Sequence, residues 1–236
     1  MKKYIGTKQI EAEPMTRGDA WGKHLLREKP STENFDDEGY HVRYEDEYES
    51  WSPKDVFEKA YKIAETPVDR MQIEAEEVNG RYVKLAAFID SGKMDEVVND
   101  TYNKCLLEIQ CGTMFDYIRL LDTRIQRMQG SDSAEVRKMN FGMAIMALKA
   151  GFPIRRSGWN GKGLMVFKQI PAHIESDVIP KMQSLPQSAK DLILKDKGFI
   201  DYTSQCLIYN ENTGRADSWV PSISDMFADD WEIVLP

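Results

Sequence analysis

Cysteine, histidine and long apolar runs are scarce in these 236 residues, and each scarcity closes off a class of function. Cys105, Cys111 and Cys206 stand in no Cys-x-x-Cys or Cys/His spacing, so neither a fully paired disulfide framework nor a zinc site is expected. They read as free thiols of a reducing compartment. His24, His41 and His173 lie far apart, which leaves a Ser/His/Asp or Cys/His triad without a convenient base. No window reaches about 18 uninterrupted apolar residues, and Met1-Lys2-Lys3-Tyr4 has no apolar signal core, so membrane insertion and secretion are not expected. A cytoplasmic location is the expectation. A basic run is missing too. The net charge of -8 is uneven: residues 1–134 hold 19 Lys+Arg against 27 Asp+Glu, whereas residues 135–236 hold 12 of each. Long nucleic acid, whose binding draws on phosphate neutralisation, is therefore a poor partner. A neutral C-terminal part with a few local arginines can still hold a small nucleotide.

What is present divides into three parts. Residues 1–66 read as a small α+β domain, with extended segments at Tyr4–Ile10 and Gly39–Tyr44. A helix start is expected with Ser52 as N-cap, Pro53 at the first helical position and Asp55 at N3. Trp21, Tyr40, Trp51 and Phe57 suggest a small aromatic core. Residues 67–130 read as an antiparallel helical hairpin. Its first seam is Val68, Met71, Ala75, Val78, Tyr82, Leu85 and Ile89, and Ser91-Gly92-Lys93 breaks it. A second seam runs through Val98, Tyr102, Cys105 and Ile109, shifts phase near Gly112, and resumes at Met114, Ile118, Leu121, Ile125 and Met128. Such a hairpin either spaces two domains or has its seam completed by another subunit. Residues 135–236 read as an antiparallel sheet with a packed helix, making the chain α+β overall.

The third part carries the chemistry. Phe141, Ala144, Ile145 and Leu148 follow helical spacing, Gly151 stops the helix, and Pro153 extends the chain into Ile154, Arg155 and Arg156. Gly158-Trp159-Asn160-Gly161-Lys162-Gly163 follows. It is not a Walker loop, because Arg156 occupies the first glycine position and no Ser or Thr follows Lys162. Arginine and lysine suit phosphate, and indoles at Trp159, Trp219 and Trp231 suit a base. The start of a short helix at Ser222, with Asp225 three residues on, adds backbone N–H groups and a carboxylate. Asp225, Asp229, Asp230 and Glu232 could form a carboxylate pair, but acids beside a terminal strand are more often caps and solvated turns. The parts are those of a binding site without an evident catalytic base or a cofactor.

Four motifs in order resemble one family. They are Met139-Asn140-Phe141-Gly142; Arg156-x-Gly158-Trp159-Asn160-Gly161-Lys162; Trp219-Val220-Pro221-Ser222 with Ser224-Asp225-Met226; and Ala228-Asp229-Asp230-Trp231-Glu232-Ile233-Val234. Together they are similar to the second type of phage Thoeris anti-defence protein, over roughly residues 138–236. The resemblance implies a protein that performs no reaction. It implies sequestration of the glycocyclic ADP-ribose signal of TIR-domain enzymes, and in some similar proteins of cyclic dinucleotides from cGAS-like enzymes. It further implies homo-oligomers, typically homotetramers, with pockets at subunit interfaces. The first 62 residues resemble a small prophage-associated domain to which no activity attaches. With chemistry and motif position combined, Arg155, Arg156 and Lys162 are expected to neutralise phosphates and Trp159 and Trp219 to stack on a base. Asn160, Ser222 and Asp225 are expected to hydrogen-bond base or ribose, with Phe141 beside them. A protein-interaction or assembly module is the alternative, and a hydrolase acting through an acid such as Asp225 comes third.

Overall fold

The computed structural model describes residues 9–235, so the expected segment Tyr4–Ile10 lies outside the described residues except for Gln9 and Ile10. The chain forms two compact units, divided between Glu74 and Ala75, and its secondary structure is α+β with antiparallel sheets.

The first unit contains β1 (Ile10–Thr16), α1 (Arg17–Gly22), β2 (Glu38–Tyr44), β3 (Glu49–Pro53), α2 (Lys54–Ala60) and the opening turns of α3 (Pro67–Asp90). The strands form one antiparallel sheet in the order β1-β2-β3, with Val42 of the middle strand and Ala20 of α1 buried. Tyr40 stacks on Phe57 with ring centroids 4.1 Å apart, and Trp51 Nε1 donates to the Met15 carbonyl at 2.9 Å. Half of the expected aromatic core is thus a stacked pair bridging β2 and α2. The helix start differs from expectation. Ser50 to Pro53 pair with β2, Pro53 is the N-cap of α2, and no side chain caps it. Antiparallel pairing with Tyr40 of β2 holds Ser52 in the strand more firmly than its capping preference draws it out.

In the second unit, α3 continues to Asp90, a turn and the short α4 (Met94–Val97) follow, and α5 (Thr101–Met128) returns. Asp100 caps α5, accepting from the N–H groups of Tyr102 and Asn103 at 3.1 and 3.2 Å. The two helices run antiparallel, with Tyr82 meeting Phe115 at 5.7 Å and Lys104 meeting Asp95 at 2.6 Å. The inward row of α5 is Leu107, Cys111, Met114, Ile118, Leu121 and Ile125, an unbroken alternation of three and four. The expected phase shift near Gly112 does not occur. Tyr102, Cys105, Ile109 and Met128, placed in the seam from the sequence, are exposed. Both rows of α5 carry apolar residues, and from the sequence the reading crossed from one row to the other.

The C-terminal sheet begins beyond α6 (Phe141–Lys149), which Asn140 caps by accepting from Met143 N–H at 3.0 Å. Gly151, at φ +92°, ends it. Next come β4 (Ile154–Arg156), β5 (Leu164–Lys168), β6 (Ala172–Ile174), α7 (Gln187–Lys195), β7 (Ile200–Tyr202), β8 (Cys206–Asn210) and β9 (Arg215–Trp219). The four-residue α8 (Ile223–Met226) and β10 (Trp231–Ile233) finish the chain. Five strands form an antiparallel sheet in the order β10-β4-β5-β8-β9, while β6 and β7 pair apart as a ribbon. The core lies between α6 and this sheet, built from Met139, Met143, Ala144, Leu148, Ile154, Val166, Ala228 and Trp231. β4 lies between β10 and β5, which puts the Arg-Arg pair beside the last strand.

Candidate functional site

Strand alternation separates the two arginines. Ile154 enters the core, Arg155 takes the opposite face, and Arg156 returns to the Ile154 side at the rim. The register of β10 against β4 sets Glu232 across from Arg155 and Trp231 across from Arg156. Exposed Arg155 accordingly reaches Glu232, with Nε 3.2 Å from Oε2. Arg156 turns into a clamp. Its Nε donates to Asp230 Oδ1 at 2.7 Å, and its Nη1 donates to Asp225 Oδ1 at 2.9 Å and to the Ser224 carbonyl at 3.3 Å.

Asp225 is the hub of this arrangement and is only 7% exposed. Its Oδ1 also accepts from Trp159 Nε1 at 3.1 Å. Its Oδ2 accepts from the Ser222 N–H at 3.0 Å and the Ser222 hydroxyl at 2.7 Å, completing a capping box on α8. Burial alone would raise its pKa. The Ser222 N–H and hydroxyl, the Arg156 guanidinium and the Trp159 indole outweigh that and hold it at about 2. Asp230 follows the same balance, with burial opposed by Arg156 and by the Gly158 N–H at 2.8 Å, and its carboxyl also lies below the ordinary range. One guanidinium therefore faces two carboxylates, so the clamp itself carries a net negative charge.

Around the clamp stand the aromatic rings. Trp231 is fully buried, donates its Nε1–H to the Asp225 carbonyl at 3.1 Å, and has no face left for a ligand. Phe141, half-buried, lies 5.6 Å from it, and Trp159 and Trp219 meet it edge-on at 5.5 and 6.1 Å. Asn160 and Lys162 are exposed on the turn between β4 and β5, which is tied to the β8–β9 hairpin by Asn212 Nδ2 donating to the Lys162 carbonyl at 2.6 Å.

Thus Arg156, Trp159, Ser222 and Asp225 are directly hydrogen-bonded into one cluster, and Phe141 and Trp219 join it through Trp231. Arg155, Asn160 and Lys162 are outside the clamp. Asp230 was expected among caps and solvated turns and is instead a member of the clamp, whereas Trp231, expected to offer a face to a base, is buried core. A signal existed in the antiparallel pairing of an Arg-Arg strand with a strand opened by two acids, but the partners are 74 residues apart. The first unit holds an open cleft of about 500 Å³ lined by Arg17, Asp37, Trp51 and Lys54 among others. Its Arg17 pairs with Asp37 at 3.2 Å and its Lys54 with Glu38 at 2.6 Å, and no predicted site residue lines it.

Residues 139–234 match the family model described as the Thoeris anti-defense 2-like domain. Over 102 residues, 41% of this chain and 96% of the relative, the sequence is 31% identical to Thoeris anti-defense 2 of Bacillus phage SP01. The chain belongs to the Thoeris anti-defense 2 family. The Thoeris anti-defense 2-like stretch opens at Met139, whose backbone pairs with Trp231, and ends at Val234, so it holds α6, the five-stranded sheet and the whole clamp. Membership supports a phage anti-defence role. A second family model, Sequestin, matches residues 65–127, which span α3 to the last turn of α5.

Proposed function

We propose that residues 135–236 bind a cyclic nucleotide immune signal and keep it from its effector without degrading it. The ligand we infer is glycocyclic ADP-ribose made by TIR-domain enzymes, with cyclic dinucleotides of the same chemical class as further ligands. Asp225 is the observation that carries the non-catalytic reading. A carboxyl held at about 2 and filled by four donors is a poor general base or acid at neutral pH, yet a good anchor for the Trp159 indole. In this reading Trp159 and Trp219 stack on the base, Lys162 meets the phosphates, and Phe141, Asn160 and Ser222 complete the rim, while Arg155, on the opposite face of the sheet and paired with Glu232, is left out of this site. Arg156 and Asp225 act on the ligand through the position of Trp159 and through whatever donor capacity ligand entry frees.

We further read residues 1–66 as a separate small domain, residues 67–130 as an oligomerisation element, and the functional assembly as a homotetramer. Exposed Val220, Ile223 and Phe227, flanking the clamp, support a contact that another subunit covers. The same patch favours the second reading, a protein-interaction or assembly module. Calorimetric titration of the full chain with a panel of cyclic ADP-ribose isomers and cyclic dinucleotides separates the two. The sponge reading expects saturable heat for at least one of them and a loss of roughly tenfold or more in affinity for Trp159→Ala. No heat with any nucleotide would overturn it in favour of the module.

A further inference from the structure

The open cleft of the first unit, about 500 Å³, falls within the roughly 300–1,000 Å³ of clefts that take ligands. Its lining is uneven in charge. Arg17 and Lys54 stand against Asp37, Glu38, Asp55 and Glu58, and residues 1–74, which make up that unit, hold 12 Lys+Arg against 17 Asp+Glu. Both cations of the cleft are already spent, Arg17 on Asp37 and Lys54 on Glu38. Asp55 and Glu58 are left over. They lie three residues apart on α2, hence on one face of it, and both are exposed. Among the described residues neither forms an ion pair, and Glu58 accepts only from the Tyr40 hydroxyl, at 2.9 Å. Trp51 is a fixed wall beside them. Its Nε1 is tied to the Met15 carbonyl, and its half-buried ring lies against Gly39, where a Cβ would come within 2.5 Å of the indole. The Arg17 guanidinium carbon sits 5.6 Å from the ring centre, and Arg17 Nε, shut off from water, has no acceptor among the described residues. A buried donor without an acceptor is a costly arrangement for a free chain to keep.

We propose that this cleft receives an arginine or lysine side chain carried on an extended segment of a protein partner. The cationic head takes Asp55 and Glu58, and its methylene stem lies along Trp51 and Pro53. A main-chain carbonyl of the same segment supplies the acceptor that Arg17 Nε lacks. The surplus of acid, in the cleft and over the unit as a whole, draws such a segment in and turns phosphate away. The cleft is therefore no second copy of the nucleotide site proposed for residues 135–236. A free polyamine shares the cationic head and the apolar stem but has no carbonyl to offer, so the orphaned Arg17 donor favours a peptide.

Calorimetric titration of the full chain at low salt tests it, with three probes: an acetylated and amidated tri-arginine peptide, its tri-glutamate counterpart, and spermidine. Tri-arginine should give saturable heat with one site per chain, tri-glutamate none, and spermidine an affinity lower by roughly tenfold or more. The double variant Asp55→Asn with Glu58→Gln changes two exposed positions, and circular dichroism checks that its fold is kept. It should weaken tri-arginine binding by roughly tenfold or more. A charge-matched pair outside the cleft, Glu45→Gln with Asp46→Asn in the turn between β2 and β3, should leave that binding unchanged. Absence of saturable heat with tri-arginine would overturn the proposal, and so would an equal loss in the two double variants, which marks unspecific attraction to an acidic chain. Spermidine binding as tightly as tri-arginine would overturn the peptide in favour of a free polyamine. Nucleotide titration reads other residues, so a failure there leaves this result standing and a success does not supply it.

Discussion

Asp225 is where the sequence promises a ligand contact and the fold builds a joint. It fastens the β4–β5 turn through Arg156 and Trp159, α8 through Ser222, and β10 through its carbonyl and Trp231. Because the carboxyl is held at about 2 against an ordinary 3.8, its contribution to stability is complete above about pH 4 and is lost as the pH falls through 2. The shift corresponds to roughly 2 kcal/mol, expected as a fall in the urea midpoint over that window, and absent in Asp225→Ala. That variant should lose about 2–4 kcal/mol at neutral pH, since it strands the Arg156 and Trp159 donors. Gly158→Ala tests the other carboxylate: its Cβ would lie 2.5 Å from Asp230 Oδ2, so it should displace Asp230 from Arg156 and cost about 1–3 kcal/mol by thermal denaturation. The residue types of the site were legible in the sequence, but not who spends whose hydrogen bonds. Arg156 reads as a phosphate ligand until two acids from the chain's end arrive beside it.

At the scale of elements, local signals were read well wherever propensity and tertiary context agree. Gly151 ends α6, and Ser222 and Asp225 open α8, each with the geometry its residues favour. The expectation failed where two faces compete: Ser52 is drawn into β3, and α5 hides its inward row behind an equally apolar outward one. The β6–β7 ribbon illustrates a pairing that no local pattern could announce. In it His173 lies directly across from Asp201, with Nδ1 2.6 Å from Oδ1. That hydrogen bond, opposed in part by desolvation, holds the imidazole above its ordinary 6.5. Stabilisation of the ribbon is therefore complete below pH 6.5 and lost as the pH rises through the folded value. An NMR titration should place the His173 midpoint above 6.5, and Asp201→Asn should lower it, with Glu175 at 3.4 Å from Nε2 retaining part of the elevation. A midpoint at or below 6.5 in the unaltered chain would contradict the pairing.

For the whole molecule, no helix among the described residues is long and apolar enough to cross a membrane. The chain joins a Thoeris anti-defense 2-like domain to a helical hairpin that matches Sequestin, with a small α+β unit ahead of them. Under the proposed sequestration, abundance and residence time would set the outcome, and avidity among copies would matter more than any single contact. Nucleotide affinity in the full chain should accordingly weaken on dilution if subunits complete the site, which a concentration series of fluorescence titrations on Trp159 and Trp219 would register. The most direct test of the central claim is a mass balance. The full chain is incubated with glycocyclic ADP-ribose in slight excess of nucleotide sites, freed of unbound ligand and heated, and the released nucleotide is quantified by chromatography and mass spectrometry. Sequestration without turnover predicts recovery of the bound nucleotide intact and in fixed proportion to protein; recovery of a cleaved or rearranged product, or of none, would contradict it.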